Sequence, residues 1–198
     1  VEQHRQAVAR FETLPGQQAQ VDWSGFGLLQ VDGVHKALSC FSMILGYSRY
    51  QYIEFTLSRN LMSFLACHVH AFEYFGGVPL ELLYDNLKTA VLSHVDGTVE
   101  WQSTFTDFAT YYGFMPRACR PYRAQTKGKV ERPFPYIRSN FFLGRTFSGL
   151  VDLNAQSRAL GVSPRILEYS LNGKAWAGVK GLACHENREW NMRERSIM

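Results

Sequence analysis

Residues 19–45, AQVDWSGFGLLQVDGVHKALSCFSMIL, decide the fold. Residues 19–23 read as a short extended segment carrying Asp22. After Ser24-Gly25, two apolar runs at 26–31 and 36–45 flank Asp32-Gly33, a pair that supplies the positive backbone angles of a tight turn, so a β-hairpin is predicted. Gly46-Tyr47-Ser48-Arg49 then leads to a further strand at 50–56, which makes an antiparallel meander. Beyond it the period changes. Leu61, Leu65, Val69 and Phe72 recur at helical spacing, with Asn60 placed as N-cap and Gly76-Gly77 as the stop. A strand at 80–84 ends at Asp85. An amphipathic helix follows over 103–112, with Phe105, Phe108, Ala109 and Tyr112 on one face, then a strand at 114–119 and a basic loop that leads into a helix.

The 198 residues suffice for one core, and 46% hydrophobic with 19% charged residues excludes a disordered chain. Cys40, Cys67, Cys119 and Cys184 are widely spaced and form no Cys-x-x-Cys pair, so neither a zinc knuckle nor a disulfide framework is expected, and a reducing cytoplasm fits. No apolar run reaches 18 residues and no leader pattern opens the chain, so no membrane role is expected. Because Val1 stands first, part of a natural N-terminus is expected to be missing.

A net charge of +4 is too small to indicate a polyanionic partner, but its distribution is uneven. Between residues 117 and 138 seven bases face one acid, Glu131. Three acids stand at the ends of different patterns: Asp22, Asp85 and Glu131. Hard divalent cations take oxygen ligands and phosphates seek cations, so three carboxylates, the last set among bases, point to a metal site facing a polyanion. Taken singly each has a plainer reading: Asp22 as a turn residue, Asp85 as an N-cap, Glu131 as an exposed ion pair. The candidate DNA contacts are Arg117, Arg120, Arg123, Lys127, Lys129 and Arg132. Tyr122, Phe134 and Tyr136 interleave with the run, as phosphate contact plus base stacking requires; a solvated loop is the plainer reading. His68 and His70 lie two apart on the predicted helix and cannot share an ion easily, so His68 is expected at the core boundary and His70 in solvent. Trp23, Tyr84 and Phe134, beside the acids, are expected to pack in the core or stack on bases.

These pieces, in this order, resemble the ribonuclease H-like fold of the DDE integrase and transposase superfamily, and more closely the catalytic core of an IstA-type insertion-sequence transposase. The resemblance is carried by Gln20-Val21-Asp22-Trp23, Leu45-Gly46-Tyr47-Ser48-Arg49, Phe75-Gly76-Gly77-Val78-Pro79, Tyr84-Asp85-Asn86-Leu87-Lys88-Thr89-Ala90-Val91, Tyr112-Gly113-Phe114, Arg120-Pro121-Tyr122-Arg123 and Lys127-Gly128-Lys129-Val130-Glu131-Arg132-Pro133. It implies an α/β fold with a five-stranded mixed sheet, a three-strand antiparallel meander plus two parallel strands, flanked by helices, with the first strand beside the fourth. It also implies that Asp22, Asp85 and Glu131 are catalytic and hold two Mg²⁺ ions, with Mn²⁺ able to substitute. The implied activity is that of a DDE-type polynucleotidyl transferase, 3′-end cleavage and strand transfer on DNA in the bacterial cytoplasm, by a homo-oligomer aided by a helper AAA+ ATPase.

Pro133 and Pro135 disfavour a long regular helix just after Glu131. The expected organisation is a linker or helix remnant at 1–15, an integrase catalytic core at 16–150, and a divergent tail at 151–198. Residues 151–158 still resemble the family and 159–198 do not, which suggests a frame-shifted or truncated C-terminus. Two competing functions remain: a ribonuclease H-like nuclease that only hydrolyses, and a truncated, inactive DNA-binding module.

Overall fold

The structure, a computed structural model, describes residues 13–85, 89–95, 98–119 and 133–159. Strands β1 (Gln18–Val31) and β2 (Val34–Leu45) form one long antiparallel hairpin. Asp32 and Gly33 close it with φ of 52° and 76°, the paired positive angles that match a two-residue turn to strand twist. The segments expected separately at 19–23 and 26–31 are a single strand. Their apparent break is a bulge: the register shifts between Gly25 and Gly27, where Gly27 takes φ of 90°. The shift changes which positions face which side. Before it Ala19, Val21 and Trp23 belong to one core; after it Phe26 and Leu29 belong to another.

Strand β3 (Gln51–Thr56) pairs with β2 and completes the meander. In the connection, Gly46 donates its N–H to Gln18 O at 2.7 Å, and a Cβ there would stand 2.9 Å from that carbonyl, so the close approach excludes a side chain. Helix α1 (Leu61–Phe75) starts where Asn60 accepts the Ser63 N–H at 2.8 Å and ends at Gly76, φ 67°. The chain returns as β4 (Glu81–Tyr84), parallel to β1. Strands β5 (Val91–Val95) and β6 (Thr98–Trp101) form a separate two-stranded ribbon, an element absent from the sequence-based order. Helix α2 (Ser103–Tyr112) stops at Gly113, φ 72°, and β7 (Met115–Ala118) pairs parallel with β4. The sheet order is β3-β2-β1-β4-β7, the mixed five-stranded arrangement expected.

Each face of the sheet carries its own apolar cluster. On one, α1 and α2 bury Phe64, Leu65, Phe72, Phe105 and Phe108 against Val21 and Tyr84. His68 is fully buried there, not at the boundary where helical spacing put it. The second face is covered by α3 (Pro133–Ile137) and α4 (Leu150–Ala159), with Phe134, Ile137, Phe141 and Leu153 meeting Phe26, Leu38 and Phe55. Helix α3 opens on proline, which tolerates the first helical position, and widens into a π turn over Arg138–Phe142.

Helix α4 belongs to this folded unit although it lies almost wholly beyond residue 150. Its buried Asn154 accepts the Phe55 N–H at 2.7 Å and donates to Phe55 O at 2.9 Å. A side-chain amide thus takes the place of a sixth strand on the edge of β3. Asn154→Ala is expected to lower stability by roughly 2–4 kcal/mol, because a buried donor and acceptor are both left unmet. A denaturant midpoint unchanged from the parent chain would contradict this.

Candidate active site

Register brings two of the three acids together. Strand β1 runs parallel to β4 with Val21 opposite Tyr84, and Asp22 and Asp85 are the next residue on each chain. Adjacent strands lie about 4.8 Å apart, so the two carboxylates leave neighbouring backbone positions. Val21 and Tyr84 are buried on the α1 side, so by strand alternation Asp22 faces the side covered by α3 and α4, and Asp85 sits in the bend that follows β4. Both are half-buried. Asp22 Oδ1 accepts the Trp23 N–H at 2.7 Å, which orients the carboxylate at its base. Opposite Asp22 on β2 stands buried Ser42, whose hydroxyl accepts from Gln51 Nε2 at 3.0 Å.

Cys40 marks the same side of the sheet. Burial pushes its thiol well above the usual value, the Arg138 charge pulls it down, and the Asp22 charge pushes it up again. Both charges therefore lie within electrostatic range of Cys40, which is itself a neutral core residue. Among the described residues Cys40, Cys67 and Cys119 form no disulfide with one another.

Glu131 lies outside the described residues, as do Arg120, Arg123, Lys127, Lys129 and Arg132. Arg117 is described. It lies on β7 and donates to Glu81 Oε1 at 3.3 Å, an exposed ion pair of the kind that contributes about 0–1 kcal/mol. Among the described residues no three His, Cys, Asp or Glu side chains gather to hold a metal. The donors that are placed, two carboxylates at adjacent strand positions, suit hard oxygen-seeking cations and not soft ones.

The aromatic residues beside the acids pack inward. Trp23 stacks on Phe64 with ring centroids 5.4 Å apart, Tyr84 is fully buried, and Phe134 meets Phe26 edge-on at 5.8 Å. Behind Asp85 sits a polar pair within the apolar core. His68 Nδ1–H donates to Phe64 O at 2.7 Å, so its Nε2 is the acceptor for the Tyr84 hydroxyl at 3.0 Å. Burial drives the His68 pKa down to about 4, opposed by the Phe64 carbonyl. His70 is exposed and paired with Glu54 at 3.0 Å.

Sequence reasoning gave no role in this site to two arginines: Arg59 was passed over, and Arg138 was counted only as the last of the seven bases between 117 and 138. Arg59 Nη2 donates to Trp23 O at 3.0 Å, and Arg138 Nη2 donates to Gly25 O. The partners are backbone atoms, which carry no sequence signal, so neither contact could be foreseen.

A parallel β1–β4 pair beside an antiparallel meander, helices on both faces, and two acids at neighbouring positions, Asp22 within β1 and Asp85 just past β4, define a ribonuclease H-like fold. The catalytic core domain of BIV integrase superposes with a TM-score of 0.51 at 14% identity, covering 80% of this chain and 98% of that one, a likeness of fold. The profile described as Integrase core domain matches residues 12–124, over half of the chain. The chain is 48% identical over 145 residues to the putative transposase for insertion sequence element IS5376 of Geobacillus stearothermophilus, covering 73% of this chain and 36% of that protein. It is 40% identical over 148 residues to the transposase for insertion sequence element IS21 of Pseudomonas aeruginosa, covering 74% and 38%. The chain belongs to the integrase core domain family, in its DDE-type transposase branch. It spans between about a third and a half of the length of the curated relatives it matches.

Proposed function

We propose that this chain is the catalytic core of an insertion-sequence transposase that cleaves DNA at the 3′ transposon end and joins the exposed hydroxyl to a target strand. The observation that carries the reading is the β1–β4 register, which sets Asp22, within β1, beside Asp85, the residue that follows β4. Two carboxylates on neighbouring backbone positions supply the oxygen donors that a hard divalent cation takes. Glu131 is the third donor in this reading. Phe134 packs on Phe26, four positions along β1 from Asp22, and the three residues from Phe134 back to Glu131 reach at most about 10 Å. Mg²⁺ ions held by Asp22, Asp85 and Glu131, or Mn²⁺ in their place, would supply Lewis-acid stabilisation of the phosphoryl oxygens.

The remaining residues of the site orient and attract. The Trp23 amide holds the Asp22 carboxylate, and the bases from Arg117 to Arg132 neutralise the DNA backbone. The catalytic unit runs from residue 16 through α4, because α4 closes the β3 edge. Paired DNA ends, a homo-oligomer, a helper AAA+ ATPase and the bacterial cytoplasm complete the proposal. Among the described residues no helix is long and apolar enough to cross a membrane.

A 3′-hydroxyl oligonucleotide bearing a transposon end, incubated with target DNA and Mg²⁺ or Mn²⁺, should yield joined product. Hydrolysis without joining would favour the simple nuclease, and neither product would favour an inactive DNA-binding module. Replacing Arg120, Arg123 and Lys127 together by Ala should weaken DNA binding across all sequences and flatten its salt dependence by up to about three phosphate contacts. An unchanged slope would remove them from the DNA face.

A further inference from the structure

We propose that Arg59 and Arg138 are positioning residues that hold the β1 backbone directly beyond Asp22 and tie it to the chain segments bearing the other two acids. The proposal rests on the reading of Asp22, Asp85 and Glu131 as metal-holding carboxylates. Strand β4 ends at Tyr84, opposite Val21, so from Trp23 onward the β1 edge on that side has no β4 partner. Gln18 O accepts from Gly46 N on the β2 side, and strand alternation sends the carbonyls of Trp23 and Gly25 to the other edge. Strand carbonyls left without a ladder need a donor, and arginine fills both places. Arg59 Nη2 donates to Trp23 O at 3.0 Å, and Arg138 Nη2 to Gly25 O.

Each arginine also reaches toward another acid. The Arg59 carbonyl accepts the Thr89 hydroxyl at 3.4 Å, four residues past Asp85, so the loop before α1 spans the segments that follow Asp22 and Asp85. Arg138 opens the π turn of α3, seven residues past Glu131, and its guanidinium lies 4.2 Å over the Phe26 ring. Arg138 thereby pins the helix that follows Glu131 to the strand that carries Asp22. The spacing of three carboxylates drawn from distant parts of the chain is set through these two side chains, as partners outside a ligand set orient the ligands themselves.

The test compares the whole chain with its Arg59→Ala, Arg59→Lys, Arg138→Ala and Asp22→Asn variants by Mn²⁺ titration calorimetry, by amide hydrogen exchange without metal, and by the salt dependence of DNA binding. Each Arg→Ala variant should raise the half-saturating Mn²⁺ concentration by about tenfold and speed exchange at residues 24–26, with the DNA salt slope unchanged. Arg59→Lys should recover most of the loss, because a single N–H donor suffices there. Parental Mn²⁺ affinity and exchange in both Ala variants would overturn the proposal. So would a defect confined to DNA affinity and its salt slope, which would make the arginines phosphate contacts. If Asp22→Asn binds Mn²⁺ as the parent does, the carboxylate reading fails and this proposal falls with it, an outcome distinct from normal binding in the arginine variants alone.

Discussion

Asp22→Asn is expected to reduce metal-dependent cleavage and joining by at least about a thousandfold, with Asp85→Asn and Glu131→Gln falling as far. Lewis-acid stabilisation of a phosphoryl transition state amounts to several kcal/mol, and each 1.4 kcal/mol is about tenfold in rate. The asparagine keeps the Oδ1 that accepts the Trp23 N–H, so local geometry survives while the charge does not. The metal-free variant should be at least as stable as the parent, because removing one of two adjacent like charges relieves repulsion. A thermal midpoint that holds or rises while joining is lost separates a role in chemistry from one in folding. Retained activity in any of the three would remove that residue from the site.

The second large effect is on stability against pH. His68 is neutral in the folded chain, its pKa pushed by burial from 6.5 down to about 4. The unfolded chain therefore binds the proton first as pH falls. The contribution is present in full above about 6.5 and is lost progressively down to about 4, a total on the order of 3 kcal/mol. His70 and Glu54 do not imitate this. The hydrogen bond to Glu54 raises the His70 pKa, so its contribution is present at low pH and fades only as pH rises through the raised value. Burial pushes Glu54 up, but the bonds from His70 and Tyr52 outweigh it and hold its pKa below 4.5, so its contribution is lost only in more acidic solution. Urea unfolding between pH 6.5 and 4.5 should accordingly show a falling stability in the parent chain and a flatter line in His68→Leu. Equal slopes would show that His68 does not titrate with folding. Protonation would also remove the acceptor of the Tyr84 hydroxyl, one residue before Asp85, so mild acid should loosen the end of β4 first.

Most of the order of elements was legible because it depends on local chemistry. The Asp32-Gly33 turn, the Asn60 cap and the Gly76 and Gly113 stops are each specified by side chains within a few residues. The β1 bulge was not, since Ser24-Gly25 looks like a strand break unless β2 is known to continue pairing across it. Nor was the burial of His68. Its position in the helical period is a boundary one, and only Tyr84, arriving from another strand, supplies the partner that makes a buried imidazole tolerable. The same holds for Asn154, whose partners on β3 are 99 residues away.

The sequence by itself determined the kinds of side chain available to the site, carboxylates for hard cations and a basic stretch for phosphate, because charge and donor type belong to the residue. Tertiary structure alone decided that Asp22 and Asp85 are neighbours, since their adjacency is a property of parallel register between strands joined through a meander and a helix. It also decided that Arg59 and Arg138 serve the β1 edge. A backbone carbonyl has no letter in the sequence, and its need for a donor arises only where the neighbouring strand ends.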